Sequence, residues 1–256
     1  MPVKVQEVVA IMDRSGSMSG KVADAVGGFN STLDIMRQNQ EENTVINVSV
    51  KLFDNQEELL IRSLPLEDVR PLQEHQFLPR GQTALLDAMG NTLTYFMEKK
   101  LKYPDAYDCC TIYVVTDGLE NCSQNFTKQR VKELVENADE KYNIKVIYLA
   151  ANQDAILEAS NIGISPSQAM NYSETPENMA PAFRALSNMV ERHRTGEEVE
   201  FQPVERAASQ ITPNSLPDTQ QQFPALDQNE NYTFNIGTEP PTINRQTNGR
   251  RIRARN

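Results

Sequence analysis

Histidine is nearly absent from this sequence. Only His75 and His193 occur, so a zinc or iron centre built on imidazoles is not expected. Both are expected to be solvated, His75 in a polar loop and His193 near a helix end. Cysteine is little commoner: Cys109 and Cys110 are adjacent and Cys122 stands alone. Three thiols so placed make no disulfide framework and read as small core or surface residues, which favours a reducing, cytoplasmic compartment. No apolar run approaches the ~20 residues needed to cross a bilayer, so no membrane association is expected. Met1 to Glu7 lack the charged-then-apolar profile of a secretory leader.

Positive charge is also short. Residues 1–199 hold 19 Lys/Arg against 29 Asp/Glu, which is the whole of the net −10. That balance argues against nucleic-acid binding by bulk electrostatics. Residues 200–256 hold six of each, with the acids first and Arg245, Arg250, Arg251, Arg253 and Arg255 towards the end.

What is present is an alternation of strands and helices. Residues 3–12 are a mostly apolar run, and the next helix is striped by Val22, Val26, Phe29, Leu33 and Met36. Residues 44–53 alternate Ile46, Val48, Val50 and Leu52, and a turn at Asp54–Gln56 leads into residues 57–62, a hairpin at a sheet edge. Residues 64–79, with three prolines, are expected to be a loop. It delivers Arg80-Gly81-Gln82-Thr83 to a second helix striped by Leu86, Met89, Leu93 and Phe96. Cys110–Thr116 is unbroken and β-branched, as for a strand buried on both faces. A helix with Val131, Leu134, Val135 and Ala138 follows, then a strand at 144–150 and a short helix at 153–160. The last helix has Thr175 as N-cap, Pro176 at its first position, and a stripe of Met179, Phe183, Leu186 and Val190. The pattern predicts an α/β fold: a doubly wound, mostly parallel sheet with one antiparallel edge strand. The expected domain is 1–197. From 198 to 256 glutamine, asparagine and proline dominate, as for an extended or disordered tail.

The chemistry concentrates at strand ends. Val8 to Met12 run apolar into Asp13-Arg14-Ser15-Gly16-Ser17-Met18, and the later strand ends in Thr116-Asp117-Gly118. Ligands of such sheets bind beyond the carboxyl ends of the strands. Asp13, Ser15 and Ser17 offer hard oxygens at one such end, the donor type that magnesium takes. Each part also has a plainer reading. The first stretch could be an ordinary strand-to-helix turn, Thr83 a helix cap, and Asp117-Gly118 a plain turn.

Taken together, Asp13-x-Ser15-x-Ser17, Thr83 and Asp117 resemble the metal-ion-dependent adhesion site of the von Willebrand factor A family, in its order. The form Asp13-Arg14-Ser15-Gly16-Ser17-Met18 is similar to the soluble bacterial and bacteriophage branch, and the resemblance covers about residues 3–195. It implies that Ser15, Ser17 and Thr83 supply hydroxyl ligands to Mg2+ or Mn2+, with Asp13 and Asp117 bound directly or through water. It further implies an open position for an Asp or Glu carboxylate of a protein partner.

The expected function is therefore non-enzymatic: an adaptor or assembly factor that captures an acidic partner through the cation. A structural component of a phage particle is the alternative. A magnesium-dependent phosphohydrolase is the rival from another class. It lacks support because position 15 is serine where an aspartate nucleophile site would pair two acids. No Walker-type loop occurs, and no histidine or lysine stands beside Ser15 or Ser17 in sequence. In the tail, Tyr232, Phe234 and Ile236 alternate and could add a strand to a sheet edge, an inert spacer being the other reading. Arg250, Arg251, Arg253 and Arg255 offer weak attraction to an acidic surface or nucleic acid.

Overall fold

The computed structural model describes residues 3–151, 155–172 and 176–210. Six strands make one sheet: β1 (Lys4–Asp13), β2 (Thr44–Phe53), β3 (Glu57–Pro65), β4 (Cys109–Thr116), β5 (Ile144–Ala150) and β6 (Ala169–Asn171). Their order is β3-β2-β1-β4-β5-β6. Every neighbouring pair is parallel except β2 with β3, which is the hairpin at the edge. The helices are α1 (Val22–Gln38), α2 (Leu85–Lys102), α3 (Lys128–Tyr142), α4 (Ala155–Asn161), α5 (Pro176–Thr195) and α6 (Pro203–Ala208).

β1 shows why the chain folds this way. Its side chains alternate between faces. Val8, Ala10 and Met12 join the core under α1 and α5 with Phe29, Leu33, Phe183 and Leu186. Val9 and Ile11 join the opposite core under α2 and α3 with Leu93, Phe96, Val131 and Leu134. A strand buried on both faces is mostly apolar, and a carboxylate within it needs a counter-charge, as Glu7 has in Lys99 at 2.6 Å; a carboxylate without one belongs at the strand's end. Asp13 is that end.

The structure adds the short β6 and α6, which the sequence did not announce, and departs from the sequence reading elsewhere. The segment after residue 64 is packed rather than a bare loop. β3 runs to Pro65, and two single 3-10 turns follow with Val69, Leu72 and Phe77 buried. His193 is buried, not solvated. Its Nδ1 lies 2.8 Å from Thr111 Oγ1 and its Nε2 3.1 Å from Asn143 Oδ1. Burial, helped by the nearby Lys145 charge, lowers its pKa to about 4.

Packing also continues past the expected boundary at 197. Val199 and Phe201 are buried, and the Phe201 N–H donates to Ser167 C=O at 2.9 Å. Arg206 of α6 donates to the carbonyls of Pro166, Ser167 and Ala169. The polar composition beyond 198 hid these two apolar anchors. Thr175, the Met179 side chain, and the tail residues Tyr232, Phe234, Ile236, Arg250, Arg251, Arg253 and Arg255 lie outside the described residues.

Candidate metal site at the ends of β1 and β4

β1 and β4 are neighbours in parallel register, Met12 opposite Val115. Their carboxyl ends therefore bring Asp13 beside Thr116 and Asp117, 103 residues apart in sequence for the first pair. Asp13 is fully buried. Its Oδ1 accepts the Ser15 N–H at 2.7 Å and its Oδ2 the Thr116 hydroxyl at 2.6 Å. Among the described residues no lysine or arginine is paired with it. Burial raises its pKa, the nearby Asp117 charge adds to that, and the bonds from Thr116 and Ser15 oppose it. A carboxylate so placed is stabilised by a cation.

The two serines follow as expected from their alternate spacing across Gly16. Ser15 Oγ and Ser17 Oγ are 3.0 Å apart, and the Ser17 hydroxyl donates to Asp117 Oδ1 at 2.6 Å. Thr83 is delivered by a separate loop. Gly81 takes φ +67°, and a side chain there would meet Asn55 Oδ1 at 2.1 Å, so only glycine makes this bend. Its carbonyl accepts the Gly16 N–H at 3.2 Å, while the Arg80 N–H donates to Arg14 C=O at 2.8 Å. These two bonds stitch the Thr83 loop to the Ser15 loop. Asn121 clamps Thr83 from the other side, with bonds of 2.9 and 3.1 Å to its N–H and C=O. The helix cap of α2 is Ala84 and uses no side chain. Thr83 is thus not the cap.

The surroundings of Gly118 show what these loops build. A Cβ placed on Gly118 would lie 3.0 Å from Thr83 Oγ1, 3.4 Å from Ser17 Oγ and 3.5 Å from Asp13 Oδ2. Three oxygens from two separate segments, residues 13–17 and the Thr83 loop, thus face the small space beside Gly118. Among the described residues no group of three or more His, Cys, Asp or Glu is disposed to hold a metal. The donors gathered here are instead two carboxylates and three hydroxyls, which suit Mg2+ or Mn2+ and not a soft or imidazole-seeking ion. The residues present fit such an ion.

Several supporting residues escaped the sequence reading. Asp54, just past β2, is fully buried. It accepts from Arg14 Nε at 3.0 Å and Arg80 Nε at 2.7 Å, and Arg14 also pairs with Glu58. Asp54 thereby ties the Ser15 loop to the Thr83 loop. Glu120 accepts from Leu86 N–H at 3.0 Å in the first turn of α2, which fixes the loop after Asp117. Asp87 accepts from the N–H groups of Gln124, Asn125 and Phe126 at 2.9 Å each. Burial works against its charge, but those donors prevail and lower its pKa. Lys21, which has no place in the sequence reading, pairs with Asp117 Oδ2 at 2.5 Å. No local pattern announces Asp54.

No protein-family model and no curated protein sequence matches the chain. Solved structures do. The pilus adhesin SpaC of Lactobacillus rhamnosus GG aligns with a TM-score of 0.57 at 12% identity, over 74% of this chain and 30% of that one. The von Willebrand factor domain of the pilus tip protein Mfa5 from Porphyromonas gingivalis gives 0.52 at 11% identity, over 77% and 97%. A von Willebrand factor type A protein from Catenulispora acidiphila gives 0.50 at 15%, over 74% and 43%. The chain spans less than half of the first and third of these. The likeness establishes the fold, an α/β sheet of the von Willebrand factor A type.

Proposed function

We propose that this chain is a non-enzymatic protein-binding module in which Asp13, Ser15, Ser17, Thr83 and Asp117 hold Mg2+ or Mn2+ for capture of a partner's Asp or Glu. The observation that carries this reading is the convergence of Asp13, Ser17 and Thr83 oxygens on the space beside Gly118. A bound dication would supply an electrophilic centre able to take one further carboxylate. The chain's own residues prepare for it. Ser17 directs its hydroxyl hydrogen to Asp117 Oδ1, which leaves its lone pairs for the cradle. Thr116 fixes the orientation of Asp13 in the same way. Two buried carboxylates offset the ion's charge, and the neutral hydroxyls of Ser15, Ser17 and Thr83 add none, so what draws a partner's acid is the coordination position these five residues leave open.

Adhesive and pilus proteins share this fold, which accords with a binding role. A cytoplasmic adaptor or assembly factor is the setting that the thiols and composition favour. The test is calorimetric titration of Mg2+ and Mn2+ into chelator-stripped protein beside Asp13→Ala. Saturable binding by wild type and none by the folded variant is expected, with partner pull-down lost in chelator. A folded wild type that binds neither ion, alone or with partner extract, would overturn the reading and leave a structural scaffold.

A further inference from the structure

The helix α1 begins on a lysine. Its N-cap position ordinarily carries Ser, Thr, Asp or Asn, whose side chain accepts a free helix N–H, and the partial positive charge there disfavours a cation. Lys21 makes no such cap. Its main chain is nonetheless held in place: Gly20 before it takes φ +92°, and the Lys21 N–H donates to Met18 C=O at 3.0 Å. From that anchor the side chain, one-fifth exposed, reaches the fully buried carboxylate of Asp117. Both Asp117 oxygens are then engaged, one by the Ser17 hydroxyl and one by the ammonium.

We propose that Lys21 is a specificity-determining residue of the cation site, weakening the bare divalent ion and making its retention depend on a partner's carboxylate. The proposal rests on the function argued above. Lys21 places a unit positive charge on the Asp117 oxygen that Ser17 does not engage. That charge repels a dication in the cradle, and it spends part of the Asp117 charge that would otherwise offset the ion. In a partly buried setting such terms are larger than in water. The same ammonium adds to the field that an incoming carboxylate meets, so the anion is drawn more strongly once the ion is in place. Coupling of this kind is reciprocal: whatever the ion gives the carboxylate in affinity, the carboxylate returns to the ion. Cation and acidic partner are then taken up together rather than in independent steps.

The experiment titrates Mn2+ into chelator-stripped wild type, Lys21→Gln and Lys21→Arg, first in potassium chloride and then in potassium acetate at equal ionic strength. Gln keeps a donor for Asp117 and removes the charge; Arg keeps the charge. In chloride, Lys21→Gln is expected to bind Mn2+ about tenfold more tightly than wild type, and Lys21→Arg to remain within about twofold of it. Acetate is expected to tighten wild type more than Lys21→Gln. Equal or weaker Mn2+ binding by Lys21→Gln, or an equal acetate effect in both, overturns the proposal while leaving the cation site standing. No Mn2+ binding by any of the three in either salt overturns the site and the proposal together.

Discussion

Asp13 and Asp54 stand at the ends of neighbouring parallel strands, Asp13 opposite Phe53 and Asp54 one residue on. Both are fully buried. Their surroundings differ. Asp54 is held by two guanidinium groups, Arg14 and Arg80. Among the described residues Asp13 receives a backbone N–H and hydroxyl groups but no guanidinium or ammonium. One carboxylate has its counter-charge built in and serves as a structural tie between loops. The other has hydroxyl neighbours that orient it and leave its charge for something else. Burial is equal, so burial alone does not mark a binding carboxylate; the charge of its partners does. His193 adds a third solution, since it is buried by remaining neutral.

Removing Asp54 is the hardest blow. Arg14 Nη2 is already buried without a hydrogen-bond partner, so Asp54→Ala leaves that guanidinium only the half-exposed Glu58. A loss of about 3–5 kcal/mol is expected, as for any buried pair stripped of one member. Thermal unfolding should show a melting temperature lower by roughly 10 °C. A loss below about 1 kcal/mol would break the comparison.

The His193 effect comes next. The unfolded state takes its proton near pH 6.5, and the folded state only near about 4. Stability is therefore complete above 6.5, falls between those values, and levels off below the lower one. The span amounts to about 3 kcal/mol. Denaturant melts of wild type and His193→Gln over pH 4–7 should diverge by that order, with wild type the more pH-sensitive.

Gly118→Ala should act on the cradle and leave the fold alone. Its methyl group would lie 3.0 Å from Thr83 Oγ1. Mn2+ affinity is expected to fall by about tenfold or more, with stability changed by less than about 1 kcal/mol. Smallest of all is the effect of Asp13→Asn on stability in chelator, within about 1 kcal/mol of wild type or above it. The direction follows from the raised pKa of Asp13: its ionised form is a cost in the folded state, and acid relieves that cost in wild type but not in the variant.

Much of the architecture was legible because it repeats. The stripes of α1, α2 and α3, the alternation along β2 and the unbroken apolar β4 are periodic, and the sheet with its antiparallel edge follows from them. Asp13, Ser15, Ser17 and Asp117 stand in short motifs at strand ends, which is why the sequence singles them out as candidates; Thr83 lies in a loop and enters only through the resemblance. What escaped is aperiodic or distant. β6 has three residues, too few to carry a period. Asp54 looks like any turn aspartate until Arg14 and Arg80, 40 and 26 residues away, fold back on it. His193 was within reach: Phe183, Leu186, Val190 and His193 continue one helical stripe, and the charged neighbours Arg192 and Arg194 obscured it.

The parallel order of the sheet also bears on when the site comes into being. Asp13, Ser15 and Ser17 leave the ribosome early, Thr83 later, and Asp117 only after the whole of β4, whose place beside β1 is separated from it by β2, β3 and α2 in sequence. Local structure cannot assemble these groups, and closing so long a loop comes late in folding. A nascent chain therefore displays the serine motif without the power to use it. On the proposed function, cation capture would mark the docking of the central strands, and an acidic partner would meet only chains in which β1 and β4 already lie side by side.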